Sequence, residues 1–154
     1  MKRIDKEFFL NDNVTEVAAN LLGMKLCTNF NGELTTGIIV ETEAYSGRND
    51  KACHANNGKR TRRNEVMYEE GGLAYVYFCY GIHSMFNIVT NIKDNADAVL
   101  IRAVEPVVGI DIMMERRGVK KPDRVSSGPG NVCKALGITL GHNKEDLRGD
   151  LMWI

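Results

Sequence analysis

The chain has 154 residues, 44% hydrophobic and 26% charged, with 15 Gly and only 3 Pro. This suffices for one domain with its own core, is too short for two of ordinary size, and argues against disorder, collagen or a low-complexity tract. Basic and acidic residues balance to a formal net charge of zero. No apolar run approaches the roughly 20 residues of a membrane helix, and Met1 to Glu7 lacks the apolar stretch of a secretory signal, so the expected compartment is the cytoplasm.

In chain order, the spacing of Val14, Val17, Ala18, Leu21 and Leu22 predicts a helix over 13–23, capped by Asn13 with Glu16 three residues on and stopped by Gly23. Residues 24–30 and 33–45 are extended runs joined by Asn31-Gly32, a strong hairpin signal. On the second run, a period of two places Ile39, Glu41, Glu43 and Tyr45 on one face. Residues 46–71 form a long polar loop with room for one short helical turn. Within it, residues 51–64 hold Lys51, Lys59, Arg60, Arg62 and Arg63 and no acid. Three further strands are predicted at 73–79, 84–90 and 98–104, followed by a helix from Pro106 to Arg117. A second basic window, 115–124, holds Arg116, Arg117, Lys120, Lys121 and Arg124 with Glu115 and Asp123 interspersed. A last helix is expected from Pro129 to Leu136, capped near Ser127 and closed by Gly137. The chain stops on the apolar Leu151-Met152-Trp153-Ile154, which reads as the opening of a strand cut from something longer. Strands in a run with helices at the ends predict an α+β fold: a single mixed domain over 1–154, its antiparallel sheet flanked by helices and apparently lacking its C-terminal strands.

The neutral average conceals basic segments on an acidic body, and such a surface can hold a polyanion locally; the same windows also suit solvated loops. Cys27, Cys53, Cys79 and Cys133 contain no Cys-x-x-Cys pair and read as reduced, mostly buried thiols. Glu41 and Glu43 precede the basic loop, either as a solvated strand face or as carboxylates able to orient a water beside Tyr45. All five tyrosines lie between residues 45 and 80, and Tyr80 stands before Gly81, where a sharp turn would let it protrude as a wedge into stacked bases. Tyr75 and Phe78 suit core packing, and His54 is one histidine in a polar loop.

Glu41-Thr42-Glu43-Ala44-Tyr45, Ala52-Cys53-His54, Arg62-Arg63-Asn64, the run from Tyr75 to Gly81, Asn87, Leu100-Ile101-Arg102-Ala103 and Ser127-Gly128-Pro129 stand in register. Together they resemble the 3-methyladenine DNA glycosylase family of the alkyladenine (methylpurine) type, from about residue 8 to Ile154. The resemblance implies a curved antiparallel sheet and a monofunctional enzyme of base-excision repair without metal or organic cofactor. Such an enzyme hydrolyses the N-glycosidic bond of alkylated or deaminated purines in double-stranded DNA. It further implies that Glu43 activates the attacking water with Arg102 nearby. Tyr45, His54 and Tyr77 would sandwich the flipped base, Tyr80 would fill the vacated space, and Asn87 would obstruct the 2-amino group of normal guanine. Lys59, Arg60, Arg62 and Arg63 would contact phosphate. A monomer, nucleoid-associated in a bacterial cell, is expected. Two departures accompany the resemblance: family members generally continue for several tens of residues beyond a segment like 151–154, and Ile82-His83 stands where they often carry an aromatic or a methionine after the turn glycine. The alternatives are a DNA-damage-binding remnant that flips lesions without cleaving, and a non-DNA hydrolase using Glu41 and Glu43 as a paired acid and base.

Overall fold

The computed structural model describes residues 3–154. Two helices, α1 (Lys6–Phe9) and α2 (Val14–Leu21), precede the hairpin of β1 (Lys25–Phe30) and β2 (Glu33–Ser46). After the long loop come β3 (Ala74–Cys79), β4 (His83–Thr90) and β5 (Asp97–Val108), then α3 (Ile110–Arg117), α4 (Pro129–Leu136) and β6 (Met152–Trp153). The strands form one antiparallel sheet in the order β3-β4-β5-β2-β1-β6.

The local signals act as expected in α2, where the Asn13 side chain accepts a hydrogen bond from the Glu16 amide at 3.2 Å and Val14, Val17, Ala18 and Leu21 are buried. At the β1–β2 turn, Asn31 and Gly32 both take positive φ, the requirement of a type I′ hairpin. One face of the sheet carries the main core. There Ile39, Ala74, Val76, Phe86, Ile88, Val99 and Ile101 pack with Leu21, Met113, Val132 and Leu136 from the helices. On the other face, Cys53, Ala55, Val66, Met67 and Tyr68 of the long loop cover Tyr75, Val89 and Ala98. All four cysteines are free thiols, and Cys27, Cys53 and Cys133 are buried.

Three sequence-based expectations are corrected. Pro106 does not begin a helix; it lies in β5 opposite Gly37, and α3 starts at Ile110 after Gly109 in the left-handed region. The length of β2 offers a partner as far as Val108, and the pairing shifts beside Pro106, the irregular setting that tolerates a residue without an amide donor. Nor do Ile39, Glu41, Glu43 and Tyr45 share a face. Between Ile39 and Thr42 the β2–β5 register shifts twice more, from Ile39↔Val104 to Glu41↔Ala103 to Thr42↔Ile101, leaving Val40 and then Arg102 as extra residues. The bulges turn Ile39 into the helix-side core, where Ala44 also packs, while Glu43 and Tyr45 stay together on the other side. Finally, α4 has Gly128 at its N-cap and no side-chain cap from Ser127.

Short 3-10 turns form at Asn56–Gly58 and Glu65–Tyr68, in the loop expected to hold one, and at Leu140–His142, where none was expected. The second basic window serves the scaffold in part. Arg116 donates to the Ala135 carbonyl near the end of α4 at 3.2 Å and pairs with Glu33 at 2.8 Å, and Arg117 donates to the Val125 carbonyl at 2.9 Å. Among the described residues, no helix is long and apolar enough to cross a membrane.

Candidate active site

Register alone lines up the centre of the site. Glu43 lies opposite Leu100, Leu100 opposite Asn87, and Asn87 opposite Tyr75, a row crossing β2, β5, β4 and β3 on the loop-covered face. Tyr45 is two residues along β2 and Tyr77 two along β3, so both project from the same side. The double bulge delivers Arg102 to this side as well, and its Nη1 donates to Glu43 Oε1 at 2.8 Å. Tyr45 donates its hydroxyl proton to Glu43 Oε2. Each carboxylate oxygen thus accepts from one donor, the arrangement an ionised carboxylate takes, and lone pairs remain for a water. The Glu43 side chain is 37% exposed, so solvent reaches it. Glu41 is farther off: 4.0 Å from Arg102 and 60% exposed.

Burial, reinforced by the bond to Glu43 and its charge, raises the Tyr45 pKa well above that of an ordinary phenol, which keeps the hydroxyl a donor. Tyr45, His54, Tyr75, Tyr77 and Asn87 line one cavity. The His54 ring centroid lies 4.7 Å from that of Tyr77, edge-on to it. Partial burial, then the charges of Arg63 and Lys59, lower the His54 pKa and favour neutral imidazole. Asn87 is buried and donates to the Tyr75 carbonyl at 3.3 Å.

The loop that carries His54 is tied internally. Asn64 is buried, donates to the carbonyls of His54 at 3.0 Å and Lys59 at 2.8 Å, and accepts from the Thr61 amide. Tyr68 donates to the Lys59 carbonyl at 2.8 Å. Where the loop leaves β2, buried Asp97 accepts from the Gly47 amide, Arg48 and Asn91.

Tyr80 occupies the tip of the β3–β4 hairpin, 93% exposed and with φ +53°, followed by Gly81 at +67°. A bulky residue in the left-handed region is a genuine outlier, worth about 1–2 kcal/mol of strain. Ile82 beside it is exposed too. Of the four expected phosphate contacts, Arg60 is held by Glu65 and Asp94 and lies over the Tyr68 ring. Arg63 lies over the Tyr77 ring at 4.8 Å and donates to the Phe78 carbonyl. Lys59 and Arg62 are exposed and, among the described residues, in no ion pair.

Two participants escaped the sequence reading. Tyr75 reads there as core packing, and its ring is buried, but its hydroxyl meets His54 Nδ1 at 2.9 Å; its two-residue spacing from Tyr77 was the available signal. Asn64 carried no local signal beyond its place in Arg62-Arg63-Asn64.

Comparison with known proteins bears on this arrangement. Residues 7–154 match the family described as methylpurine-DNA glycosylase (MPG). The chain belongs to that family. Among relatives named "Putative 3-methyladenine DNA glycosylase", that of Chlamydia felis is 51% identical over 94% of this chain and 75% of its own length. That of Chlamydia pneumoniae is 48% identical over 98% of this chain and 78% of its own length, and that of Carboxydothermus hydrogenoformans 50% identical over 95% and 75%. The curled antiparallel sheet with its helices is the α+β fold expected from the resemblance.

Proposed function

We propose that this DNA glycosylase family member hydrolyses the N-glycosidic bond of an alkylated or deaminated purine in double-stranded DNA, leaving an abasic site. The observation that carries the reading is a solvent-reachable Glu43 carboxylate, held by Arg102 and by Tyr45, whose ring lines a cavity with Tyr77 and His54.

A stacked base is out of reach of any such cavity, so the nucleotide must be extruded at a cost of a few kcal/mol. Stacking on aromatic rings contributes about 1–3 kcal/mol per base, so Tyr80 entering the vacated space and the ring-walled cavity together offset that cost. A purine methylated at N3 or N7 is cationic, which favours the electron-rich faces of Tyr45 and Tyr77 and makes the base a better leaving group. Asn87, buried in the cavity lining, would obstruct the 2-amino group of unmodified guanine. As the glycosidic bond lengthens, positive charge gathers on the sugar. Glu43 would stabilise that charge while orienting a water for attack, with Arg102 beside the same water, the demand met by carboxylates in sugar hydrolases. Lys59 and Arg62 are free to meet phosphates, giving affinity without sequence preference.

The test is single-turnover release of free base from a duplex carrying 7-methylguanine. The chain is expected to release the base, and Glu43→Gln to lose at least about 100-fold in rate while still binding the duplex. Release by Glu43→Gln near the unmodified rate would refute the role of Glu43. Binding of lesion duplex without release by the unmodified chain would replace catalysis with lesion sensing. Loss of release in Glu41→Gln equal to that in Glu43→Gln would favour a paired acid and base.

A further inference from the structure

Tyr75 is 2% exposed, and His54 Nδ1 at 2.9 Å is the only side-chain partner of its hydroxyl that meets hydrogen-bond geometry among the described residues. A buried phenol leaves its proton unsatisfied unless it donates. Arg63 lines the same cleft as Tyr75, and a guanidinium has no acceptor to offer the hydroxyl. The phenolic hydroxyl therefore donates to His54 Nδ1, the one side-chain acceptor in place among the described residues. Burial raises the Tyr75 pKa far above neutrality, while burial, Arg63 and Lys59 lower that of His54. Both partners are thus neutral at neutral pH, and the direction of the bond is not reversed by titration there.

We infer that Tyr75 is a positioning residue that holds His54 as its Nε2-protonated tautomer, making the second ring nitrogen a donor to an oxygen acceptor brought to the cavity. The inference rests on the purine-excising reading above and deepens it. His54 borders both the aromatic cavity and an adjoining cleft with Lys51, Lys59 and Arg63. The acceptor is accordingly an oxygen, either the one at C6 of a 6-oxopurine or one on the phosphate of its nucleotide. A fixed donor disfavours a purine with an amino group at C6, because two donors facing each other are both left unpaired.

Two readouts test it. The first is the 15N spectrum of the imidazole rings of the unmodified protein, assigned with His54→Gln. A single Nε2-protonated neutral signature for His54 is expected; an Nδ1-protonated ring or an even mixture overturns the inference without any variant having to fold. The second is kinetic, with Tyr75→Phe compared on duplexes carrying 7-methylguanine or hypoxanthine and on duplexes carrying 3-methyladenine. Loss of about 10-fold in kcat/KM confined to the 6-oxopurines, the worth of one hydrogen bond, assigns the acceptor to the base. An equal loss on all three, expressed in KM, assigns it to phosphate. Unchanged kinetics on all three, with the His54 spectrum unchanged in Tyr75→Phe, overturns the positioning role. Should the unmodified chain release no base, the proposed function fails, while the ring spectrum still decides the tautomer.

Discussion

The two faces of the sheet are built from opposite materials on the same backbone. Towards the helices, β3, β4 and β5 present Ala74, Val76, Phe86, Ile88, Val99 and Ile101, apolar and buried. Towards the loop, the alternate positions are Tyr75, Tyr77, Asn87 and, past the bulge, Arg102. The first face is satisfied by area alone. The second is covered only in part, by a loop held in place by specific hydrogen bonds, so Glu43 and Arg102 stay within reach of solvent. On the proposed function, stability and chemistry are thereby divided between the two sides of a layer one residue thick, and substitutions should separate them.

The largest stability effect is expected on the helix side. Phe86→Ala leaves a cavity in a close-packed core and should cost about 3–5 kcal/mol in urea unfolding, with base release per folded molecule preserved. Equal damage to stability and to release by the folded fraction would break the division. Asp97→Ala should cost about 3 kcal/mol, at the low end for a buried pair because the Arg48 side chain is 48% exposed. It acts on the loop side, where it frees the segment leaving β2, so proteolysis within residues 47–72 should accelerate before global unfolding does.

A smaller effect of opposite sign belongs to Tyr80→Asn. Asparagine accepts the left-handed conformation, so stability should rise by about 0.5–1 kcal/mol, while affinity for lesion duplex falls by the roughly 1–3 kcal/mol of a lost stacking ring. A stability loss would show that the turn is not strained by tyrosine. The smallest effect concerns pH. The folded-state pKa of His54 lies below its unfolded value, so its contribution to stability is present above the unfolded pKa, near 6.5, and is lost as pH falls through the folded value. His54→Gln should flatten that part of the stability profile below about pH 6.5; an unchanged profile would show that the imidazole is not desolvated.

Much of the site was legible because its signals are local. Asn13 with Glu16 marks a helix start and Asn31-Gly32 a hairpin, and both act through neighbours in the chain. The two-residue spacing of Tyr75 and Tyr77 was present as well, but Tyr75 read as core because its hydroxyl partner lies in a distant loop. Pro106 misled because its fixed φ suits a first helical turn as well as an irregular strand, and only the reach of β2 decides between them. The four-residue face from Ile39 to Tyr45 misled because a strict period of two contains no information about bulges, which depend on how the partner strand is paired.

Composition, hydrophobic period and turn chemistry determined that this chain folds as one α+β domain, and its spaced motifs carried the family resemblance. Tertiary structure decided which side chains meet. The double bulge turns Ile39 inward and brings Arg102 to Glu43, and loop packing sets His54 on the Tyr75 hydroxyl. The physical reason is range. Caps and turns are satisfied within four or five residues, whereas the pairs Glu43–Arg102 and His54–Tyr75 join segments 59 and 21 residues apart, whose approach is set by strand register and core packing.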